Sequence, residues 1–449
     1  MKKFKRFGGM VLFTCFFFSV FLGVSFGENK LKLSDTLQEM NIGGELWMVS
    51  VNRKNIFFSE DGGITGAGND ANWVELVAKL KLNGTFKQNV DYELGFLLTK
   101  NLGEDIYQIW ESPRNFNLNP GGIDPDKRFR VDVANFTIKK LFDLPMDLKL
   151  GRFNYQSGHG FLVGKGSIPT SGGAWIYLID NAWNGGLLTY QLDPVIFELL
   201  GVKTDESWDD LLGTDSEMYG VTIKLKPNTI KNFDGGIALF TREDSSPRNL
   251  DTSFVNVFFD YKITDAIGFL GDFAYQFGKT GKLDKRAYGL DVRANYLFKE
   301  YKSKPTLEIG YAYFSGDGNP FDKKDKNFDG LFPAYNSFGK YKYGDLGADY
   351  FANTNGQVIM ASLGFLPIEG TPYYQFGGYY YMIKTNEPKS KILSHEIDLP
   401  VIYPYSDNIL LFVMPAVAIP GKAAKQDLLG MGSKDKTYYE LVLGALFSF

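Results

Sequence analysis

Residues 285–299 read KRAYGLDVRANYLFK. Tyr288, Leu290, Val292, Ala294, Tyr296 and Phe298 alternate with Asp291, Arg293 and Asn295. Side chains two apart share one face of an extended chain, so this segment makes a strand with an apolar face and a charged face. Soluble sheets also alternate, but their strands usually run about 5–6 residues. A run of roughly 10 alternating residues is the length with which a tilted strand crosses a membrane, apolar toward lipid and polar toward a wet lumen.

The same pattern extends in both directions. In 73–86, WVELVAKLKLNGTF, the set Val74, Leu76, Ala78, Leu80 and Leu82 alternates with Glu75, Lys79 and Lys81. The chain closes on YYELVLGALFSF, with Tyr439, Leu441, Leu443, Ala445, Phe447 and Phe449 on one parity. Eighteen such segments run from 40–52 to 436–449, joined alternately by short turns, such as Asp193-Pro194 and Pro227-Asn228, and longer stretches, such as 101–127 and 317–354. The expected fold is an all-β transmembrane antiparallel barrel of about 18 strands, with short periplasmic turns, long extracellular loops and both ends on the periplasmic side.

Composition agrees. Aromatic residues make up 16% of the chain, with 39 Phe and 26 Tyr beside 50 Gly. The opening MKKFKRFGGMVLFTCFFFSVFLGVSFG has a basic start, a short apolar run and small residues before a cut expected after Gly27, the order of a secretory signal. Its apolar run falls short of the roughly 20 residues that a spanning helix needs. Residues 28–39 then form a short periplasmic segment, too small for a plug domain, and 40–449 the barrel. Loss of four cations with the signal leaves 44 basic against 52 acidic residues, a net of −8. Nothing in that balance suits nucleic acid. The single cysteine, Cys15, leaves with the signal, so disulfides and thiolate metal sites are excluded.

Candidate chemistry is sparse. His159 lies in a glycine-rich loop and His395 on the apolar parity of a strand, and neither has neighbours that suggest an activated nucleophile. The chain is therefore expected not to be an enzyme and to need no cofactor. Gly164-Lys165 imitates the end of a phosphate-binding loop but fails it at His159 and Gly166. Asp325, Asn327 and Asp329, followed by Gly330, match the opening of a calcium loop, whose twelfth position is here Asn336; a structural Ca2+ in an extracellular loop is the metal expectation. Alternation assigns Glu75, Lys79, Asp91, Glu93, Arg130, Asp132, Lys149, Asp272, Asp291, Arg293, Glu308, Glu396, Asp398 and Glu440 to the lumen wall. Acids exceed bases in that set, which predicts weak cation preference. The 156–183 loop, and with it the 317–354 loop, is expected to fold inward and narrow a lumen that 18 strands would otherwise leave open.

Two segments carry a family resemblance. KLGRFNYQSGHGFLVG, 149–164, with Gly151-Arg152, and SGDGNPFDKKDKNFDGLFPAY, 315–335, with Ser315-Gly316-Asp317, Asn319-Pro320 and Phe328, resemble motifs of the alginate-export family of outer-membrane barrels, while Asn184-Gly185 matches only in part. The resemblance implies an 18-stranded barrel, a lumen position for Arg152, and a founding activity of exporting a polyanionic polysaccharide through a basic pore. The mixed wall inferred here argues against carrying that substrate over. The expected function is a porin-like channel for passive passage of small polar solutes or ions, with polysaccharide export as the alternative and a surface adhesin as a third class. Expected partners are outer-membrane lipid, the barrel-assembly machinery that reads a terminal aromatic strand, and the solute or polysaccharide itself.

Overall fold

A computed structural model describes residues 37–58, 70–86, 89–103, 129–164, 182–205, 216–244, 250–319, 321–331, 343–347, 351, 353–365, 375–387, 391–426 and 435–449. The strands are β1 (Leu37–Lys54), β2 (Ala71–Phe86), β3 (Val90–Gly103), β4 (Arg130–Ile138), β5 (Met146–Phe153), β6 (Trp183–Leu192), β7 (Val195–Asp205), β8 (Ser216–Leu225) and β9 (Phe233–Asp244). They continue as β10 (Leu250–Lys262), β11 (Ile267–Thr280), β12 (Leu283–Leu297), β13 (Thr306–Phe314), β14 (Gly356–Phe365) and β15 (Gln375–Thr385). The last three are β16, in two halves (Lys391–Asp398 and Val401–Ser406) interrupted at Leu399-Pro400, β17 (Ile409–Pro420) and β18 (Tyr438–Ser448). Each pairs antiparallel with its sequence neighbours, and β1 pairs with β18, so the sheet is a closed 18-stranded barrel. A two-residue bridge, Lys324–Asp325, lies parallel to β12 and outside that count.

Closure is a backbone ladder between the first and last strands, to which the Arg53–Glu440 ion pair adds a side-chain link. Gly44 N–H donates to the Phe449 carbonyl at 2.9 Å, and Phe449 N–H donates to the Gly44 carbonyl at 3.0 Å. The terminal aromatic residue thus completes one end of the seam between last and first strand, which runs on to Lys54 and Tyr439. Every strand expected from alternation is present, and β1 starts at Leu37, three residues before the expected 40.

Burial runs opposite to that of a soluble protein. On β11, Phe269, Phe273, Tyr275 and Phe277 are 38–43% exposed, whereas Asp272, Ala274 and Gln276 are at most 1% exposed. On β12, Tyr288, Val292 and Tyr296 are exposed while Asp291 and Arg293 are buried. An exposed aromatic wall around a buried charged interior is stable only with hydrocarbon outside. No described helix is long and apolar enough to cross a membrane, and the strands do the crossing.

The apolar core lies in the lumen, because segments that follow the strands turn inward. β5 and β13 stop at Phe153 and Phe314, earlier than the expected 156 and 316, since the chain leaves the wall there to enter the lumen. Phe153, Phe161, Leu162, Val163, Phe314, Phe328, Tyr343, Leu346 and Phe351 form one buried cluster. A short helix, α1 (Lys422–Lys425), continues β17 with Ala423 and Ala424 buried.

The face assignment makes a direct prediction. Val292→Arg places a charge against lipid and should cost about 2–4 kcal/mol near the midplane. Asn295→Arg, on the lumen parity of the same strand, should be nearly neutral. Equilibrium unfolding from lipid vesicles checks both; equal losses would overturn the assignment.

Candidate functional site

The interior is organised by an inward loop, residues 154–164, that follows β5. It runs along the inner wall across β7, β8, β10, β11 and β12. Tyr155 Oη donates to Glu198 Oε2 at 3.0 Å and lies 3.0 Å from Thr222 Oγ1, while Ser157 Oγ lies 3.3 Å from the same hydroxyl. Glu198, 7% exposed, also accepts from Lys224 Nζ at 2.5 Å. Burial and the adjoining Glu198 carboxylate push the Tyr155 phenol well above its ordinary range, so it stays a neutral donor. The loop closes on itself where Ser157 N–H donates to the Val163 carbonyl at 2.9 Å.

Gly158 and His159 come next. Gly158 has φ +53, and a Cβ there would fall 2.5 Å from the Phe258 ring, so only glycine lets the backbone lie this close to the wall. His159 then enters between two wall carboxylates, with Nδ1 2.7 Å from Asp272 Oδ2 and Nε2 2.7 Å from Asp260 Oδ2. Burial alone would lower the imidazole pKa, but hydrogen bonds and charge from both carboxylates outweigh it and raise it to about 9. Beyond it Phe161 stacks on Phe314 and Phe328 at centroid distances of 6.0 and 6.2 Å.

Phe328 comes from the second inward segment. Ser315 fastens that segment: its carbonyl accepts from Phe328 N–H at 2.9 Å, and its hydroxyl donates to the Lys326 carbonyl at 2.7 Å. A third segment carries Tyr343, whose Oη donates to Asp291 Oδ2 at 2.6 Å. Asp345 N–H donates to Asp398 Oδ2 at 3.1 Å and Leu346 N–H to Glu396 Oε1 at 2.7 Å. At Gly344, φ +104, a Cβ would meet the Glu396 carboxylate at 2.6 Å, so this backbone too lies against the wall only as glycine.

The wall acids therefore hold loops or cations. Asp291 binds Arg293 through Nε at 2.8 Å and Nη2 at 3.0 Å, and Arg293 Nη1 reaches Glu308 at 3.3 Å. Glu440 pairs with Arg53, whose guanidinium lies 5.3 Å over the Trp73 ring. Glu75 is fully buried and accepts from Trp73 Nε1 at 2.9 Å. Glu93 takes Lys81 at 2.5 Å, and Asp91 takes Lys139 at 2.5 Å. Lys79 lies opposite Glu45 and Leu97 in the register, and Lys149 Nζ sits 6.0 Å from the Phe153 ring centroid.

One expected position differs, one sits at a strand irregularity and one has an undescribed side chain. Arg152 shares its register with Ala134 and the exposed Asn184, opposite in parity to the buried Phe153 and Trp183. Its Nε donates to the Asp132 carbonyl at 3.0 Å. It is therefore not on the wall parity. Asp132 is buried beside the register shift at Gly95/Phe96, where β4 carries an extra residue. The Arg130 side chain and the loop stretches 165–181 and 332–342 lie outside the described residues.

The expected calcium residues do not converge. Asp325 accepts from Lys285 Nζ at 2.9 Å and from Asn327 N–H at 3.0 Å, Asn327 Oδ1 accepts from Asp317 N–H at 3.0 Å, and Asp329 N–H donates to Gln276. Lys285 stands where a cation would bind, and this is a ladder of Asx turns. Among the described residues no group of three or more His, Cys, Asp or Glu could hold a metal ion. His395 lies on the outer parity, 2.8 Å from Tyr380 Oη.

The sequence matches the model of the alginate-export family over residues 74–387. Among solved structures it is similar to OccAB2 of Acinetobacter baumannii, at 14% identity and TM-score 0.58, covering 93% of this chain and 99% of that one. It is also similar to OpdQ of Pseudomonas aeruginosa, at 12% identity and TM-score 0.58 with the same coverage, and to OpdO of that organism, at 11% and 0.57, covering 91% and 97%. At such identities the structural likeness bears on the fold. No curated protein matches.

The meeting of inward segments is testable. A double-mutant cycle of Phe161→Ala and Phe328→Ala should return a coupling of about 0.5–1.5 kcal/mol. Strictly additive losses in unfolding would mean that the two loops do not touch.

Proposed function

Because the chain belongs to the alginate-export family of bacterial outer-membrane β-barrels, we propose that it is a passive, porin-like channel for small polar solutes or ions, narrowed by its own loops. The observation that carries this reading is the set of three inward segments fastened to the wall: the first and third to carboxylates at Glu198, Asp272, Asp291, Glu396 and Asp398, the second to Gln276 and Lys285. An 18-stranded cylinder without such segments would enclose a wide aqueous channel. Loops pinned by charge-assisted hydrogen bonds give it a built-in sieve.

The pinning also changes how the wall acts on ions. Most acids counted on the inner parity are paired with a lysine or an arginine or hydrogen-bonded by loop amides. Acids that keep contact with water include Asp260, with half its side chain exposed, and Glu308, with 27%, while the Glu93-paired Lys81, with 52% exposed, offers positive charge to the same water. Screening confines such fields to about 8–10 Å at physiological salt. Selectivity should therefore be weak, with a slight preference for cations at low salt. Polysaccharide export would draw a polyanion along a basic path, whereas the arginines Arg53 and Arg293 are engaged with carboxylates.

Two measurements follow. In planar bilayers the protein should give discrete ohmic steps, and its reversal potential in a salt gradient should indicate weak cation preference that fades as salt rises. Strong anion selectivity with block by an anionic polysaccharide would favour export, and absence of any conductance would favour a structural barrel. Neutralising Asp272, Asp291 and Glu308 together should raise conductance and current noise, because two of them hold loops; a pure shift of reversal potential at unchanged conductance would contradict the anchoring role.

A further inference from the structure

We propose that His159 is the latch of the constriction, holding the inward loop to the barrel wall while it is charged and releasing it as external pH rises. This rests on the channel reading above. The geometry is that of a cation: two ring nitrogens, each 2.7 Å from a different carboxylate, can both donate only when the ring carries both protons.

The surroundings favour the charged ring. Asp272 is fully buried at its side chain, Asp260 is half exposed, and His159 is 14% exposed. Across the register Asp234 of β9 stands opposite Asp260, and Asp291 of β12 stands opposite Asp272. Asp291 is held by Arg293 and by Tyr343, and Arg293 also reaches Glu308. The groups that face the ring from β9, β10, β11 and β12 are thus four aspartates and one arginine. A neutral imidazole would leave Asp272 buried beside Asp291 with less positive charge, a costly arrangement in a poorly solvated interior. The remainder of the described loop supplies no replacement: Tyr155 is committed to Glu198, and Ser157 to Thr222 and Val163.

Position makes the contact a gate as well as a structural bond. His159 lies between the loop's two other holds, the Tyr155–Glu198 contact on one side and the Phe161 stack on the other. Freed there, the loop keeps both ends and can bow into the lumen or back toward the wall. Asp272 and Asp291 are direct cross-strand neighbours. The same acid pair therefore receives His159 from the first inward segment and Tyr343 from the third, so loss of the ring proton loosens the footing of both.

The direction of the pH response follows from the raised imidazole pKa. The charged ring's contribution to docking is complete below about 6.5, the ordinary histidine value, and is lost as pH rises through about 9. Acidification does not open this latch by way of the histidine.

The chain has two histidines, which makes the test clean. Ring resonances of the full barrel in micelles are titrated by NMR, with His395→Gln assigning the second signal, and bilayer currents are recorded at pH 6.5 and pH 10. The latch predicts a His159 midpoint near 9, a rise in conductance and noise over the same range, and a His159→Gln barrel that behaves at pH 6.5 as the unaltered one does at pH 10. His159→Lys, which keeps a cation there, should stay closed across that range. A His159 midpoint near 6.5, or a conducting barrel whose current ignores both pH and His159→Gln, ends the latch alone. A barrel that conducts in no form and at no pH ends the channel reading and the gate with it.

Discussion

Hydrocarbon offers no partner to a backbone amide, and each unpaired polar group there costs several kcal/mol. That constraint requires this chain to close. The reciprocal pair between Gly44 and Phe449, at 2.9 and 3.0 Å, completes a ladder in which every strand has two neighbours. Closure in turn fixes parity. One set of side chains faces lipid and the other faces inward, so Phe269, Phe273 and Tyr275 cover the outside while Asp272, Ala274 and Gln276 are enclosed.

An 18-stranded circumference encloses more space than wall side chains can fill. The chain fills part of it with its own loops, and polar and apolar contacts divide the task. Carboxylates on the wall take hydroxyls, amides and one imidazole from the incoming segments. Phe161, Phe314, Phe328, Tyr343 and Phe351 then pack where the segments meet. A buried acid is costly unless paired, so each wall acid that lacks a basic neighbour favours a loop that brings a donor. The excess of acids over bases on the inner parity is in this sense a demand for loops as much as a source of ion selectivity.

Strands and faces were legible because alternation is local: Val292 and Arg293 declare opposite faces from adjacent positions. The ends of β5 and β13 were overrun because nothing local in Asn154-Tyr155-Gln156 or Ser315-Gly316 marks the point where the chain departs inward. The lumen position implied for Arg152 by the family resemblance failed, in a short strand that holds Gly151 at φ +118, because register places it on the outer parity. The Asx-rich loop looked like a calcium site because its spacing is right; Lys285, 40 residues before Asp325, was the missing information. His159 looked idle for the same reason. Its partners lie 101 and 113 residues away, on strands whose approach to the loop depends on the closed barrel.

The central claim is that the lumen is narrowed by its own anchored loops. Exclusion of neutral polymers from the conducting pore in planar bilayers tests it most directly, since a polymer that enters lowers the current and one that cannot enter leaves it unchanged. The account predicts a cutoff well below that of an open 18-stranded cylinder, moving to larger polymers when Glu198, Asp272 and Asp291 are replaced together by their amides. A wide cutoff that is the same in both proteins would contradict it.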